Sequence, residues 1–256
     1  MVKVLQPVTR AEEYEYRAKY LKDEGHMSGD GPRSTEFRIN KVLRLVPFES
    51  NDVVLDISVG KGLLFERIHD KVKECHGTDV TPSMVERVRE KFNSYSNIKF
   101  ELAFSKLLPY PNGMFDKVLM TGAFCLQETK EECMQSLAEI RRVAKPSATI
   151  LISDIAVKDE SKIQPEHVPV LQRLQRRIAQ DGPKEFFASL RRYTLQKVRQ
   201  QLGIEPVLVE STRGIWFPHE TFVEMCRQSG LEAKGFQTQM IVGPSPSRND
   251  YLLKPL

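Results

Sequence analysis

Val53-Val54-Leu55-Asp56-Ile57-Ser58-Val59-Gly60-Lys61-Gly62-Leu63-Leu64 is the stretch whose reading decides the fold. Val53 to Ile57 is a short apolar run broken only by Asp56, the pattern of a buried parallel strand. The middle is small and glycine-bearing, and Leu63-Leu64-Phe65-Glu66-Arg67-Ile68 opens a helical pattern. Strand, tight glycine turn and helix in that order make half of a nucleotide-binding βαβ unit, in which backbone N–H groups and a helix N-terminus approach a ligand. An ordinary strand-to-helix turn would look the same, so a second landmark has to decide. Glu74 to Val80 reads as a second strand carrying Asp79, 17 positions after Gly62. That is close to the ~20-residue offset at which an acid meets a ribose diol. Thr81 and Pro82 then occupy the N-cap and first positions of a helix. A G-x-G-x-x-G dinucleotide fingerprint would place its third glycine at Phe65, and no G-x-x-x-x-G-K-[ST] phosphate loop occurs.

Asp56-x-Ser58-x-Gly60-x-Gly62 and Gly77-Thr78-Asp79-Val80-Thr81-Pro82-Ser83-Met84 resemble the class I S-adenosylmethionine-dependent methyltransferases, in particular small-molecule, type 11-like members with D-I-G-x-G-x-G and G-x-D-x-S-x-x-M. Leu108-Pro109-Tyr110 through Phe115-Asp116-Lys117-Val118-Leu119 is similar to that family's fourth-strand block, and Glu139-Ile140-Arg141-Arg142-Val143-Ala144-Lys145-Pro146 to its E-I-x-R-V-L-K-P-G-G helix and turn. The resemblance is close over residues 50–155 and looser beyond. It implies an α/β fold with a Rossmann-like, doubly wound seven-stranded sheet, an N-terminal helical cap and a helical lid insertion. It also implies S-adenosylmethionine as cofactor and S-adenosylhomocysteine as product. Carried over by position, Asp56, Ser58, Gly60 and Gly62 shape the methionyl pocket. Asp79, with Val80 and Met84 beside it, holds the ribose. Phe104 and Ser105 flank the adenine, and Thr121 ends the fourth strand at the pocket.

The chain departs from the family at several of these positions. Ser58 stands where the first glycine belongs; it either crowds the methionyl end or adds a hydrogen bond. Phe104 replaces an acid that accepts from the adenine amine, and offers stacking instead. Pro146-Ser147-Ala148 replaces P-G-G, and the histidine common after the fourth strand is missing near Leu126-Gln127. Two readings of function follow. The first is methyl transfer to a small polar, anionic acceptor bearing phosphate or a nucleotide. The second is a methyltransferase-like pseudoenzyme or binding protein that has lost or repurposed the cofactor site.

At 256 residues the chain suits one domain with an elaboration. We divide it into an N-terminal cap over 1–48, a core over 49–157 and 216–256, and a lid over 158–215. Thirty-eight basic against 34 acidic residues give +4, too mild to imply nucleic acid. Cys75, Cys125, Cys133 and Cys226 form no C-x-x-C, so neither a disulfide frame nor a metal site is expected. With no signal peptide and no apolar run of about 18 residues, a cytoplasmic protein without a membrane partner is expected.

Residues 9–24 read as an amphipathic helix, broken at 25–32 and followed by a second helix from Ser34 to Val46. Tyr14, Tyr20 and His26 either line the site or belong to a surface helix and loop. Core strands are expected at 97–102, 115–120 and 149–153, a helix at 130–143, and a closing pair at 231–242 and 250–253 around the turn 243–247. The lid holds two helical stretches, 168–180 and 183–202. Between 165 and 203 eight basic residues face three acids, 8 − 3 = +5. Arg173, Arg176 and Arg177 share one helix side and are candidates for an anionic substrate, with Trp216 nearby in sequence; a solvated charged face is the alternative. Specific nucleic-acid binding is not expected, because aromatic residues between the charges are sparse. No general base can be assigned; His26 and His219 are the candidates.

Overall fold

The structure, a computed structural model, describes residues 4–5, 9–20, 32–156, 175, 178–179, 182–204, 207–208, 215–240 and 243–256. The chain divides into two compact units. One comprises Lys41–Ile163, Arg213–Gln239 and Pro244–Leu256; the other comprises Met1–Asn40, Gln164–Thr212 and Met240–Gly243. The N-terminal segment and the insertion thus share one unit.

The larger unit is built on a seven-stranded sheet. In chain order its elements are β2 (Val53–Ile57), α3 (Phe65–Ile68), β3 (Glu74–Asp79), α4 (Pro82–Lys91), β4 (Ile98–Leu102), β5 (Phe115–Thr121), α5 (Lys130–Val143), β6 (Ala144–Ala156), α7 (His219–Gln228), β8 (Leu231–Met240) and β9 (Gly243–Pro255). Strand order is β4-β3-β2-β5-β6-β9-β8. The β2–β3, β3–β4, β2–β5 and β5–β6 pairs are parallel, and β9 is antiparallel to β6. Order reverses between β2 and β5, the switch point outside whose carboxyl ends such folds bind ligands. The apolar runs make the central strands: Leu55, Ile57, Val118, Met120, Ile150 and Ile152 are all buried in one core with Leu137, Ile140, Phe222 and Tyr251. Burial of each such side chain contributes about 1.5–3 kcal/mol.

The family blocks read in the sequence clamp one another. Arg142, held by Glu139, donates to the carbonyls of Tyr110 (2.6 Å) and Leu108 (2.9 Å), while the Leu108 amide donates to Glu139. Asp116 accepts from Lys145 at 2.7 Å and from the Val53 amide at 3.0 Å, joining the starts of β5, β6 and β2. In α5, Thr129 caps the helix by accepting from the Glu132 amide.

Several boundaries differ from the sequence reading. Helix α3 begins only at Phe65, because Gly62 to Leu64 are spent in the turn. Strand β6 runs far beyond 149–153 in both directions. The Pro146-Ser147-Ala148 segment lies inside it as an irregularity, where pairing jumps from Phe115–Ala144 to Lys117–Thr149. None of the three residues has positive φ, so glycine is not required there. The expected turn 243–247 is the start of β9, in which a proline near a strand's beginning is tolerated.

Strand β9 carries the largest buried charge arrangement. Asp250 is fully buried and accepts from Lys41 (2.9 and 3.1 Å), the Ser153 hydroxyl (2.8 Å), the Asp154 amide (2.9 Å) and the Thr238 hydroxyl (2.9 Å). The smaller unit holds α1 (Arg10–Tyr20), the two-residue parallel pair β1 (Val4–Leu5) with β7 (Val207–Leu208), and α6 (Pro183–Gln201). Helix α2 (Pro32–Leu45) contributes residues to both units. Removing the ammonium alone leaves a buried carboxylate without its counter-charge. Lys41→Met should therefore destabilise by about 3–5 kcal/mol in urea unfolding, and Lys41→Met with Asp250→Leu should recover part of that loss.

Candidate functional site

Three loops at the carboxyl ends of β2, β3 and β4 meet at Asp79. Its Oδ2 accepts from the Gly60 amide at 3.1 Å, its Oδ1 from the Thr81 amide at 3.0 Å, and its backbone carbonyl from the Ala103 amide at 3.0 Å. Thr81 sits at the N-cap of α4, but its side chain makes no capping bond. Burial raises the Asp79 pKa above the ordinary carboxylate range, while hydrogen bonds from the Thr81 side chain and from the Thr81, Gly60 and Val80 amides work against it.

The turn itself is held in the left-handed region. Ser58, Gly60 and Gly62 have φ of 64°, 53° and 67°. Ser58 therefore follows the path a glycine would take, with the local strain a side chain brings there. The two glycines serve different ends. A Cβ on Gly62 would lie 2.7 Å from the Phe92 ring, so this glycine is needed for packing. A Cβ on Gly60 would meet nothing within 4 Å; it would project into open space beside the Asp79 carboxylate.

Asp56, near the end of β2, is buried; desolvation, then the charge of Asp79, pushes its pKa up to about 7. An acid whose ionisation is suppressed by burial and by a neighbouring carboxylate is suited to a ligand that brings positive charge. Val80 is half-buried after β3, and Met84 is buried in α4, facing the core. Thr121 ends β5 half-buried, beside Gly122, whose amide donates to the Ser153 carbonyl.

Phe104 is 51% exposed, with the Lys106 ammonium 5.7 Å from its ring centre and Lys106 paired to Glu132. The Ser105 hydroxyl is engaged in a contact with the Ser136 hydroxyl (2.9 Å), and the Gln127 amide donates to both, at 3.2 and 2.7 Å. Gln127, where the family's histidine is missing, thus anchors the Phe104 loop to α5. Sequence reasoning passed over this network, because a serine and a glutamine far apart in the chain give no local signal.

The remaining candidates stand on other elements of the chain. His219 opens α7; its Nδ1 is 3.0 Å from the Tyr251 hydroxyl, and the rings stack at 5.6 Å. Gly235 lets both approach, since a Cβ there would be 2.6 Å from each. This is a packing arrangement among α7, β8 and β9. Trp216 is 41% exposed, next to the buried Phe217. Tyr14 lies in α1 under the Arg17 guanidinium, and Tyr20 ends that helix. His26, Arg173, Arg176 and Arg177 lie outside the described residues. All four cysteines are free thiols, and burial pushes Cys75, Cys133 and Cys226 up to about 12, far from nucleophilic thiolates. Among the described residues no group of His, Cys, Asp or Glu is placed to hold a metal ion, and no helix is long and apolar enough to cross a membrane.

The raised Asp56 pKa has a consequence for stability. Its folded value, about 7, lies above the ordinary aspartate value of 3.8, so the folded state binds the extra proton between those limits. The ligand-free protein should lose stability as pH rises from about 4 to 7, by up to about 4 kcal/mol from this group. Asp56→Asn should flatten that slope and raise the melting temperature above pH 7. An unchanged slope in the variant would show that Asp56 ionises normally.

Comparison with known proteins agrees with this geometry. A family profile described as a methyltransferase domain matches residues 54–147. An uncharacterized methyltransferase from Geobacillus sp. is 24% identical over 177 residues, spanning 68% of this chain and 80% of that one. A ubiquinone/menaquinone biosynthesis C-methyltransferase from Marinomonas sp. is 31% identical over 120 residues, 44% of this chain and only 46% of the relative. Among solved structures, phosphoethanolamine N-methyltransferase 1 from Haemonchus contortus, in complex with phosphoethanolamine and S-adenosylhomocysteine, shares the fold. Its TM-score is 0.65 at 11% identity, over 96% of this chain and 48% of that one. The acid-tethered glycine turn at the switch point, the strand order and the matched profile together mark residues 54–147 as a methyltransferase domain, carried on a sheet with the fold of the class I S-adenosylmethionine-dependent methyltransferases.

Proposed function

We propose that the chain transfers the methyl group of S-adenosylmethionine to a small polar acceptor carrying an anionic group such as phosphate. The observation that carries the cofactor half is the Asp79 node beside the open space at Gly60. When bound, the cofactor supplies an electrophilic methyl group on a sulfonium. Asp79 would accept from the ribose hydroxyls, the Thr81 side chain giving way to them as the ligand binds. Asp56 would face the amino-acid end and give up its proton as the positive charge arrives. Phe104 would cover the adenine ring with its exposed face. Catalysis would rest mainly on holding the acceptor in line with the methyl group, since no histidine among the described residues stands ready as a base.

The acceptor class rests on charge and likeness. Residues 165–203 carry eight basic and three acidic side chains. The Haemonchus enzyme, which shares the fold, was captured with a phosphorylated amine. This chain spans less than half of either protein, 48% of the Haemonchus enzyme and 46% of the Marinomonas relative whose name gives a quinone, so the charge of residues 165–203 is what carries the acceptor class.

Titration calorimetry tests the cofactor half. S-adenosylhomocysteine should bind with micromolar affinity, about −8 kcal/mol. Protons should be released near pH 7, measurable as a dependence of the heat on the buffer's ionisation enthalpy. Gly60→Ala should weaken binding at least tenfold while lowering stability by only about 1–2 kcal/mol. Gly62→Ala should do the reverse, destabilising through the Phe92 clash. Absence of binding at millimolar ligand would overturn the proposal and favour the pseudoenzyme reading. For the acceptor half, inorganic phosphate should raise the melting temperature in a salt-sensitive way, and Arg176→Gln with Arg177→Gln should remove that shift.

A further inference from the structure

Helix α6 is turned the wrong way for a helix that stabilises only its own unit. Phe187, Leu190, Leu195, Val198 and, just past its end, Leu202 are each 45–69% exposed. Gln200 is 6% exposed, and Glu185 and Gln196 are half-buried. At 3.6 residues per turn, Phe187, Leu190, Thr194, Val198 and Leu202 form one stripe, and Glu185, Gln196 and Gln200 lie on the opposite side. A buried polar side combined with an exposed apolar one is the informative inversion, since scattered surface leucines would mean nothing.

The charges decide what the stripe suits. Lys184 and Arg191 lie on or beside it and Lys197 at its border, all exposed. The helix has one acidic residue, Glu185, and it is on the far side. From Phe187 to Leu202 the stripe is about 22 Å long. Two copies of this face would bring their lysines and arginines together with no acid between them, so self-association through it is disfavoured. An anionic bilayer surface meets both features at once: acyl chains take the apolar stripe, headgroup phosphates take the flanking cations, and no matching groove is needed. A helix lying in the interface plane needs one apolar side only, so the lack of a spanning run does not bear on it.

We propose that α6 docks the protein peripherally on anionic lipid surfaces. This goes beyond methyl transfer and does not depend on it.

Co-sedimentation of the full chain with vesicles tests the proposal, using phosphatidylcholine alone and phosphatidylcholine mixed with phosphatidylglycerol. The protein should pellet with the mixed vesicles, hardly at all with the neutral ones, and less as salt is raised. Leu190→Glu with Val198→Glu should abolish pelleting while leaving the melting temperature and S-adenosylhomocysteine binding unchanged. Lys184→Gln, Arg191→Gln and Lys197→Gln together should lower partitioning by about a hundredfold, roughly fivefold per basic residue. Four results would each overturn the proposal. They are no pelleting with either vesicle, equal pelleting with both, retained pelleting in the Leu190→Glu/Val198→Glu variant, or a wild-type dimer in light scattering that this variant makes monomeric. The last would assign the stripe to a second copy.

Discussion

The site depends on one carboxylate that is committed before any ligand arrives. Asp79 takes an amide from the β2 turn on one oxygen and an amide from the start of α4 on the other, while its carbonyl takes the loop after β4. Three crossover connections are thereby fixed relative to one another by a single residue. A nucleotide-binding loop left to fluctuate would have to be ordered at the moment of binding, at a cost in affinity. Here that ordering is completed by folding, and the carboxylate is buried and aimed at the same time.

The departures from the family's motifs take on a different meaning against this geometry. Ser58 keeps a glycine's backbone conformation, so it changes the surface of the pocket without changing its path. Pro146-Ser147-Ala148 needs no left-handed residue, because the segment continues as a strand. Gln127 takes over a tethering role that links the Phe104 loop to α5. Phe104 presents an exposed aromatic face where the family motif has an acid.

The parallel half of the fold was legible because β2 and the middles of β5 and β6 are buried and read as apolar runs, and because Gly62, Asp79 and Thr81-Pro82 mark the turns between strands. Helix α5 was legible to the residue, since Cys133, Leu137, Ile140 and Val143 repeat at helical spacing. The β1–β7 pair was not: two residues each, about 200 apart, carry no periodicity. The start of β9 was misread because Gly243, Pro244 and Pro246 signal a turn locally, whereas the segment runs as strand into the stretch from Arg248 onward that pairs with distant β6. The Asp250 cluster was invisible for the same reason. Its lysine comes from 209 residues earlier, and a lone aspartate in a C-terminal strand looks like any surface acid.

The position of β9 also sets an order of events during synthesis. It lies between β6 and β8, although both of those emerge from the ribosome before it does. Until residues 243–255 are available, β8 has no partner in the sheet and the apolar edge of β6 at Ile150 and Ile152 stands open. A nascent chain of this protein cannot seal its sheet progressively from the N-terminus. It holds an unpaired edge for the time needed to translate some ninety further residues after β6, and an open edge of that kind is prone to aggregation.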